Sequence, residues 1–304
     1  MNLLCFTNPK NKVYIKDMKK NLIVGTSLGL SGIEAVICDD QFNVLEKQSK
    51  PFPGRLGKES IVAKFAKAIT SLTDFHMCYA LGVALPAVFD NSDKKIISSS
   101  IKEIEGANFY QLLSKRIDKP IYVLRRNHCS LLAEQAFGAA KNVKNAVLVE
   151  IGRDIVASFL FSGKIYRGSN NAAGQIDKII VDITREKRNK AGEFGALVSG
   201  EGLEALTGKS IYQILKESPQ SELVNKQILR DLKESLITGL YNVKLLFDPE
   251  IFIINGDILE NFHLFKASFA DLKVPIIKSE LGRTAPALGA AIAAYNQSRK
   301  KLSN

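Results

Sequence analysis

The chain has 304 residues, of which 46% are hydrophobic and 24% charged, and a formal net charge of +11. Such a chain is long enough for about two domains, and its apolar content excludes extensive disorder. Its most apolar stretch, Leu281–Tyr295, contains Arg283 and is shorter than the ~18–20 apolar residues of a membrane span, so no transmembrane helix is predicted. Residues 1–20 lack the apolar core of an export signal, and we therefore expect a cytoplasmic location.

Much of the positive charge lies at the two ends of the sequence. Residues 1–20 contain five lysines and one aspartate, and residues 299–304 contain three further basic side chains. These segments are either tails that bind a polyanion by releasing its counterions or solvated lysine-rich ends.

The first strands follow a pattern that returns later in the chain. Asn21–Cys38 predicts a strand, a glycine-rich turn and a second strand, and a polar turn then leads into a third strand at Phe42–Lys47. The same order of strands and turns returns over Asn145–Arg167. This recurrence predicts an internal duplication, with one such unit opening each half of the chain.

Around these units, strands alternate with helices. The alternation is typical of an α/β protein with two similar domains, and the cleft between such domains is the default ligand site. Apolar spacing predicts strands over 80–85, 120–124 and 251–254, and helices over 60–72, 108–117, 130–140, 201–206, 210–217, 221–247 and 285–298.

Eight motifs in this order resemble those of one family. They lie at Gly25–Gly32, Gly82–Pro86, Pro120–Gly138, Asn145–Gly168, Asn170–Ile176, Val198–Leu203, Ile253–Asp257 and Ala285–Ala291. Together they resemble the ROK family, which contains bacterial sugar kinases and sugar-responsive repressors. The resemblance implies an α/β fold of the duplicated actin/hexokinase-like (ribonuclease H-like) type, with two domains and a central cleft.

The resemblance also divides the chain. Residues 1–20 are expected to form a basic extension and residues 299–304 a basic tail. Residues 21–124, completed by the C-terminal helix 285–298, form the first actin-like domain, and residues 125–284 form the second, larger one. The resemblance further implies a homodimer. The family's repressors carry an N-terminal helix-turn-helix, whereas twenty residues precede Asn21 here, so direct DNA binding is not expected.

A cation occupies the position of the family's catalytic base. The ungapped register over Pro120–Gly138 places Arg125 at the family's sugar-binding Asn and Arg126 at its catalytic Asp. A sugar kinase needs a base that accepts the proton of the attacking hydroxyl, and a guanidinium stays protonated at physiological pH. Asp154 and Asp177 remain as candidates for a displaced base.

The three segments that resemble nucleotide-binding loops have lost their characteristic residues. The first phosphate loop reads Ser27–Ser31 and lacks the family's Asp; the second reads Gly152–Ser158 and keeps one of four glycines. Side chains in place of glycine obstruct the approach of backbone amides to phosphate. We therefore expect neither ATP nor magnesium as a cofactor. The remnants of the nucleotide site are Ser27, Gly29, Ser31, Gly152, Arg153 and Gly256.

The sugar and zinc positions are altered too. By resemblance, Gln175 replaces a sugar-binding Glu and Lys178 replaces a His that contacts both sugar and zinc, while Glu193 stands at the last zinc-binding Cys and Gly195 at a second sugar-binding Glu. The loop contains no cysteine, and the chain has no C-x-x-C pair. Without thiolates or imidazole no tetrahedral zinc site is predicted.

Three interpretations stay open. In the first, the chain is a catalytically inactive sugar-kinase relative that binds a small-molecule ligand or a partner. Its basic site residues then either line an open pocket for an anionic sugar derivative or form internal ion pairs that fill the cleft. In the second, it is an ATP- and magnesium-dependent sugar kinase with a displaced base. In the third, it is a ROK-type regulator that lacks a DNA-binding domain. The basic residues are Arg125, Arg126, Arg153 and Lys178. In the filled cleft, Arg125 or Arg126 would pair with Glu150, Asp154 or Asp177.

Overall fold

The structure is a computed structural model that describes residues 22–52, 56–90, 95–189, 192–210, 213–214 and 223–302. The predicted extension at residues 1–20 lies outside the described residues, as does most of the helix predicted over 210–217. The chain divides into two compact units. The first contains the described residues up to Ala136, together with Gly168–Asn171 and those from Arg283 onward; the second contains Phe137–Arg167 and the described part of Ala172–Gly282.

A five-stranded sheet of order β3-β2-β1-β4-β7 forms the centre of the first unit. Its first three strands are an antiparallel meander, and β4 and β7 run parallel to β1. A separate hairpin pairs β5 with β6. The strands are β1 Leu22–Gly29, β2 Gly32–Cys38, β3 Val44–Lys50, β4 Cys78–Leu85, β5 Ala87–Phe89, β6 Ile96–Ser99 and β7 Ile121–Arg125.

The third strand begins later than the sequence predicts. Phe42 has a positive φ of 63°, and its backbone N–H donates to the Asp39 carbonyl at 3.1 Å, which keeps it in the turn. Its ring instead packs edge-on against Tyr295, with ring centroids 5.2 Å apart. The strand therefore starts at Val44.

The α-helices of the first unit are α1 Lys58–Thr70, α2 Phe109–Ser114, α3 Arg126–Phe137 and α9 Ala285–Leu302. The last residue of α3, Phe137, is assigned to the second unit. Helix α3 begins directly after β7, four residues before the predicted start at Ser130. The apolar stripe that predicts the helix starts later because Asn127 and His128 are polar, yet both are buried in its first turn.

Helix α9 lies directly on the central strands of the first sheet. A Cβ atom on Gly25 of β1 would stand 2.1 Å from the carbonyl oxygen of Ala287, and one on Gly82 of β4 would stand 2.0 Å from that of Ala290. Only glycine allows so close an approach of helix backbone to strand.

The second unit repeats the topology of the first. Its sheet has the order β10-β9-β8-β11-β12, again an antiparallel meander of three strands followed by two strands parallel to the first of them. The predicted α/β class and duplication are thus confirmed. The strands are β8 Ala146–Ile151, β9 Ile155–Phe161, β10 Lys164–Tyr166, β11 Ile251–Asn255 and β12 Ile276–Lys278.

The core of the second unit lies between its sheet and its helices. Within it, the ring of Phe194 fills the position that a side chain on Gly239 would need, since ring atoms lie 2.3–2.6 Å from the point that a Cβ there would occupy. None of the helices in the described part of the chain combines the length and the apolar composition that crossing a bilayer requires. The helices of this unit are α4 Ile183–Asn189, α5 Phe194–Val198, α6 Gly200–Thr207, α7 Leu223–Phe247 and α8 Lys266–Phe269.

Candidate functional site

The remnant of the first phosphate loop forms the end of β1 and the turn after it. Ser27 is buried within the strand, and Gly29 is the last residue of β1. Leu30, where the family has a glycine, packs against the core of the first unit. Ser31 is exposed at the tip of the turn. Of the predicted polar remnants, therefore, only Ser31 presents its hydroxyl to solvent.

Arg126 lies against this strand end. It is the first residue of α3, and its Nε atom is fully buried. That nitrogen lies 3.4 Å from the position that a Cβ atom on Gly29 would occupy. The guanidinium at the predicted base position therefore packs against Gly29, within the segment that resembles the first phosphate loop. A protonated guanidinium there has no lone pair for a hydroxyl proton, and it does not fit a site for magnesium.

Arg125, at the predicted sugar-binding position, has a different role in the same unit. It is buried at 6% exposure and donates a hydrogen bond from its guanidinium to the backbone carbonyl of Asn171. Asn171 itself has a left-handed backbone, with φ of 52°. The side chain thus ties the segment Gly168–Asn171 to the end of β7.

In the second unit, the remnant of the second phosphate loop is bound to a helix. The turn between β8 and β9 presents the carbonyls of Gly152 and Arg153, which accept hydrogen bonds from the backbone N–H groups of Gly200 and Glu201 at 2.7 and 2.9 Å. These N–H groups open helix α6, and the hydroxyl of Ser199 accepts a third from Gly202 at 3.0 Å. The first amides of a helix are the ones free to bind phosphate. Here they are occupied by the chain itself.

A carboxylate stands beside the same turn. Gly256, predicted from the resemblance as a remnant of the nucleotide site, has a φ of 97°, and a Cβ there would lie 2.4 Å from the Ile151 carbonyl oxygen, so the position requires glycine. The next residue, Asp257, places its Oδ2 atom 3.3 Å from the position of a Cβ on Gly152. At an effective dielectric of ~20, two like unit charges ~4 Å apart repel each other by about 4 kcal/mol. Asp257 therefore opposes a phosphate at Gly152.

Arg153 and the first displaced-base candidate lie at the surface of this turn. The guanidinium of Arg153 is 3.4 Å from a carboxylate oxygen of Glu204, and both side chains are about half exposed. The carbonyl of Asp154 accepts a hydrogen bond from Gly152 at 3.0 Å, while its side chain is exposed. The partner of Arg153 is thus on α6, a contact that the sequence did not predict.

An ion pair stands at the two positions that the resemblance assigns to zinc ligands. Lys178 Nζ lies 2.8 Å from Glu193 Oε2 and 4.0 Å from Asp177 Oδ2. The backbone reinforces the pair, since Phe194 donates to the Ile179 carbonyl at 2.7 Å. The hydrogen bond to Glu193 raises the pKa of Lys178. An ammonium group bound to a carboxylate does not fit a zinc site, which needs deprotonated sulfur, nitrogen or oxygen ligands.

The two remaining predicted residues of this segment differ in burial. Gln175 is exposed. Asp177 is half-buried and packs against Gly195, where a Cβ would stand 3.0 Å from the Asp177 Cβ. Burial raises the pKa of the Asp177 carboxyl, and Lys178 partly opposes that shift.

The comparisons with known proteins agree with the fold and the order of motifs. The sequence profile of the ROK family matches residues 23–297. The chain belongs to the ROK family.

Curated relatives of this ROK chain include regulators. It is 25% identical over 205 residues to the DNA-binding transcriptional dual regulator NagC of Escherichia coli K12, an alignment that covers 66% of this chain and 50% of that protein. It is 22% identical over 299 residues to the xylose repressor of Bacillus subtilis 168, covering 89% of this chain and 76% of the repressor. The chain thus spans about half the length of the first of these relatives.

Solved structures of similar fold include kinases. A ROK family glucokinase from Streptomyces griseus, in complex with glucose and AMPPNP, superimposes with a TM-score of 0.77 at 19% identity. The match covers 90% of this chain and 99% of the glucokinase. At this identity the likeness shows the fold, and function has to be argued from the site residues.

Proposed function

We propose that this ROK chain does not phosphorylate sugars and acts instead by binding, as a regulatory or scaffold protein whose ligand is a sugar or an anionic sugar derivative. The observation that carries the proposal is the packing of Arg126 over Gly29. One side chain takes the place of the catalytic base and also covers the strand end that would face the transferred phosphate.

The second unit supports the same proposal independently. Phosphoryl transfer depends on backbone amides and cations positioned around the phosphates. At the turn between β8 and β9, the helix amides that could serve are bonded to the carbonyls of Gly152 and Arg153, and Asp257 adds a negative charge. On this proposal, the first unit does not bind phosphate because Arg126 packs against Gly29, and the second does not because its helix amides are already hydrogen-bonded.

Relatives of this chain include both kinases and repressors. A chain of this family without phosphoryl transfer would fit the regulatory side of that range. Direct DNA contact is not part of the proposal. We further expect a homodimer, as the resemblance implies, and a cytoplasmic location.

The experiment that tests the proposal is an ATP- and magnesium-dependent phosphorylation assay with glucose, N-acetylglucosamine and N-acetylmannosamine. We expect no turnover above a heat-inactivated control, because base, magnesium ligand and phosphate loops act as one unit and their loss is not additive. Turnover approaching the ~1–100 s⁻¹ of ordinary kinases would overturn it.

One observation favours a second candidate, a kinase with a displaced base. Burial raises the pKa of Asp177, which is the direction that a general base needs. If turnover is found, Asp177→Asn and Asp154→Asn separate the two carboxylates. Loss of activity in only one of the variants would identify the base.

The ligand class is tested by thermal unfolding of the wild type and Arg126→Ala with neutral sugars, sugar acids and sugar phosphates. A ligand that binds only the folded state stabilises it by about 2.7 kcal/mol at a hundred times Kd. Stabilisation by sugar acids or phosphates that Arg126→Ala abolishes would identify an anionic ligand at this residue. Stabilisation by neutral sugars in both proteins would identify a neutral one.

A further inference from the structure

A basic groove lies on the second unit, and none of its lining residues is one that the resemblance assigns to sugar or nucleotide. It runs along helix α7 where that helix meets α8, is open to solvent on one side, and has a volume of about 320 Å³. Its lining residues are Lys226, Leu229, Arg230, Lys233, Glu234 and Ser268.

The three cations of the groove share one face of α7. Lys226, Arg230 and Lys233 are spaced four and three residues apart, and side chains at this spacing are neighbours on a helix surface. Like charges at this spacing repel one another. The core contacts of α7 are made by Leu232, Leu236 and Leu240, so the burial of the helix does not require a cation at any of these three positions.

The positive charge of the groove is only partly neutralised. Arg230 donates from Nε to Glu234 Oε1 at 2.9 Å, which orients its guanidinium. In the portion of the chain that the structure describes, no carboxylate lies within ion-pair distance of Lys226 or Lys233. Across the groove, α8 contributes the hydroxyl of Ser268. The lining thus offers ammonium, guanidinium and hydroxyl donors to one volume, and its single carboxylate, Glu234, is paired with Arg230.

We propose that this groove binds a phosphorylated small molecule, with its phosphate held by Lys226 and Lys233 and hydrogen-bonded by Ser268. Ammonium groups bind phosphate as point charges, and hydrogen bonds between ionised partners are about twice as strong as neutral ones. Leu229 provides the apolar surface for the organic part of the ligand. The site is independent of the proposed function, because none of its residues belongs to the positions discussed for sugar, nucleotide or zinc.

The test is a titration of the purified chain with inorganic phosphate and with glucose 6-phosphate, at constant ionic strength maintained with chloride and followed by NMR chemical shifts and calorimetry. The variant Lys226→Gln/Lys233→Gln removes the two lysines. The matched control Lys141→Gln/Lys164→Gln removes the same charge from exposed positions of the same unit outside the groove.

We expect saturable binding of phosphate, shift changes confined to residues 226–234 and Ser268, and a loss of affinity of tenfold or more in the groove variant but not in the control. Ser268→Ala should weaken binding two- to threefold. Tighter binding of glucose 6-phosphate than of inorganic phosphate would support the small-molecule assignment. Equal binding by the groove variant and the control, shifts that chloride reproduces, or tighter binding of a phosphoserine peptide than of either probe would overturn the proposal.

Discussion

The two units share one strand order, but they differ in how a helix packs on the sheet and in which contacts are made at the strand ends. In the first, glycines in β1 and β4 allow α9 to lie on the sheet, and the side chain of Arg126 packs against Gly29 at the end of β1. In the second, the central strands β8 and β11 contain no glycine, and backbone hydrogen bonds close the turn onto α6. A duplicated topology therefore fixes the path of the chain, while the chemistry at each strand end depends on a few individual residues.

The largest effect is expected where α9 meets the first sheet. Gly82→Ala places a methyl group 2.0 Å from the Ala290 carbonyl oxygen, so helix and strand have to separate. We expect a loss of about 2–3 kcal/mol in the free energy of unfolding, measured by urea denaturation.

The control is Gly57→Ala, at a glycine where a Cβ would meet no atom within 4 Å and where φ is −57°. Its stability should stay within about 1 kcal/mol of the wild type. Equal stability of the two variants would show that α9 does not depend on the glycine contact.

The second prediction concerns the contribution of Arg125 to the stability of the first unit. Arg125→Met removes the hydrogen bond to the Asn171 carbonyl within a buried site, and hydrogen bonds to charged groups contribute about 1.5–3 kcal/mol. We expect a loss of stability in that range by thermal unfolding. The matched control is Arg116→Met, since the exposed Arg116 also donates to a backbone carbonyl, that of Leu112. A loss no greater than that of the control would mean that Arg125 is available for a ligand.

The sequence predicted most of the fold because apolar runs and glycine turns carry the local signal. It missed the hairpin β5–β6 and the strand β12, which are three or four residues long, and it placed the start of α3 too late because Asn127 and His128 are polar but buried. Family positions identified Arg126 and Lys178. The resemblance also placed Lys178 close to Glu193, at two ligand positions of one zinc site. The contact of Arg126 with Gly29 could not be predicted, because it joins residues that are distant in sequence and depends on tertiary packing.

A double-mutant cycle on Lys178 and Glu193 tests whether the ion pair stabilises the loop of the second unit. Lys178→Met, Glu193→Gln and the double variant should give a coupling energy of about 0.2–1 kcal/mol, since the pair is largely exposed. The coupling should fall at high salt.

Metal analysis of chelator-free protein should show no stoichiometric zinc, because Lys178 and Glu193 occupy the positions that resemble zinc ligands. One zinc per chain would contradict the conclusion that these residues do not form a zinc site.

The smallest effect concerns Asp177. Because burial raises its pKa, the folded state holds this proton more tightly than the unfolded state. Its contribution to stability therefore falls as pH rises from the unfolded pKa through the folded one. Thermal unfolding of the wild type and Asp177→Asn at pH 7 and at pH 3.5 tests this. The change in Tm caused by the substitution should be more favourable at pH 7 than at pH 3.5. A difference of the opposite sign would contradict the burial of this carboxyl.

The most direct test of the central claim is calorimetric titration of magnesium-ATP into the wild type and Arg126→Ala. In each unit, the segment that resembles a phosphate loop is in contact with other residues of the chain. We therefore predict no saturable binding of magnesium-ATP up to about 1 mM, the upper end of ordinary KM values. Removing Arg126 should not restore binding, because the turn at Gly152 remains bonded to α6. Saturable binding by the wild type at one nucleotide per chain would contradict the account, and binding gained only by Arg126→Ala would show that the second unit is still open to phosphate.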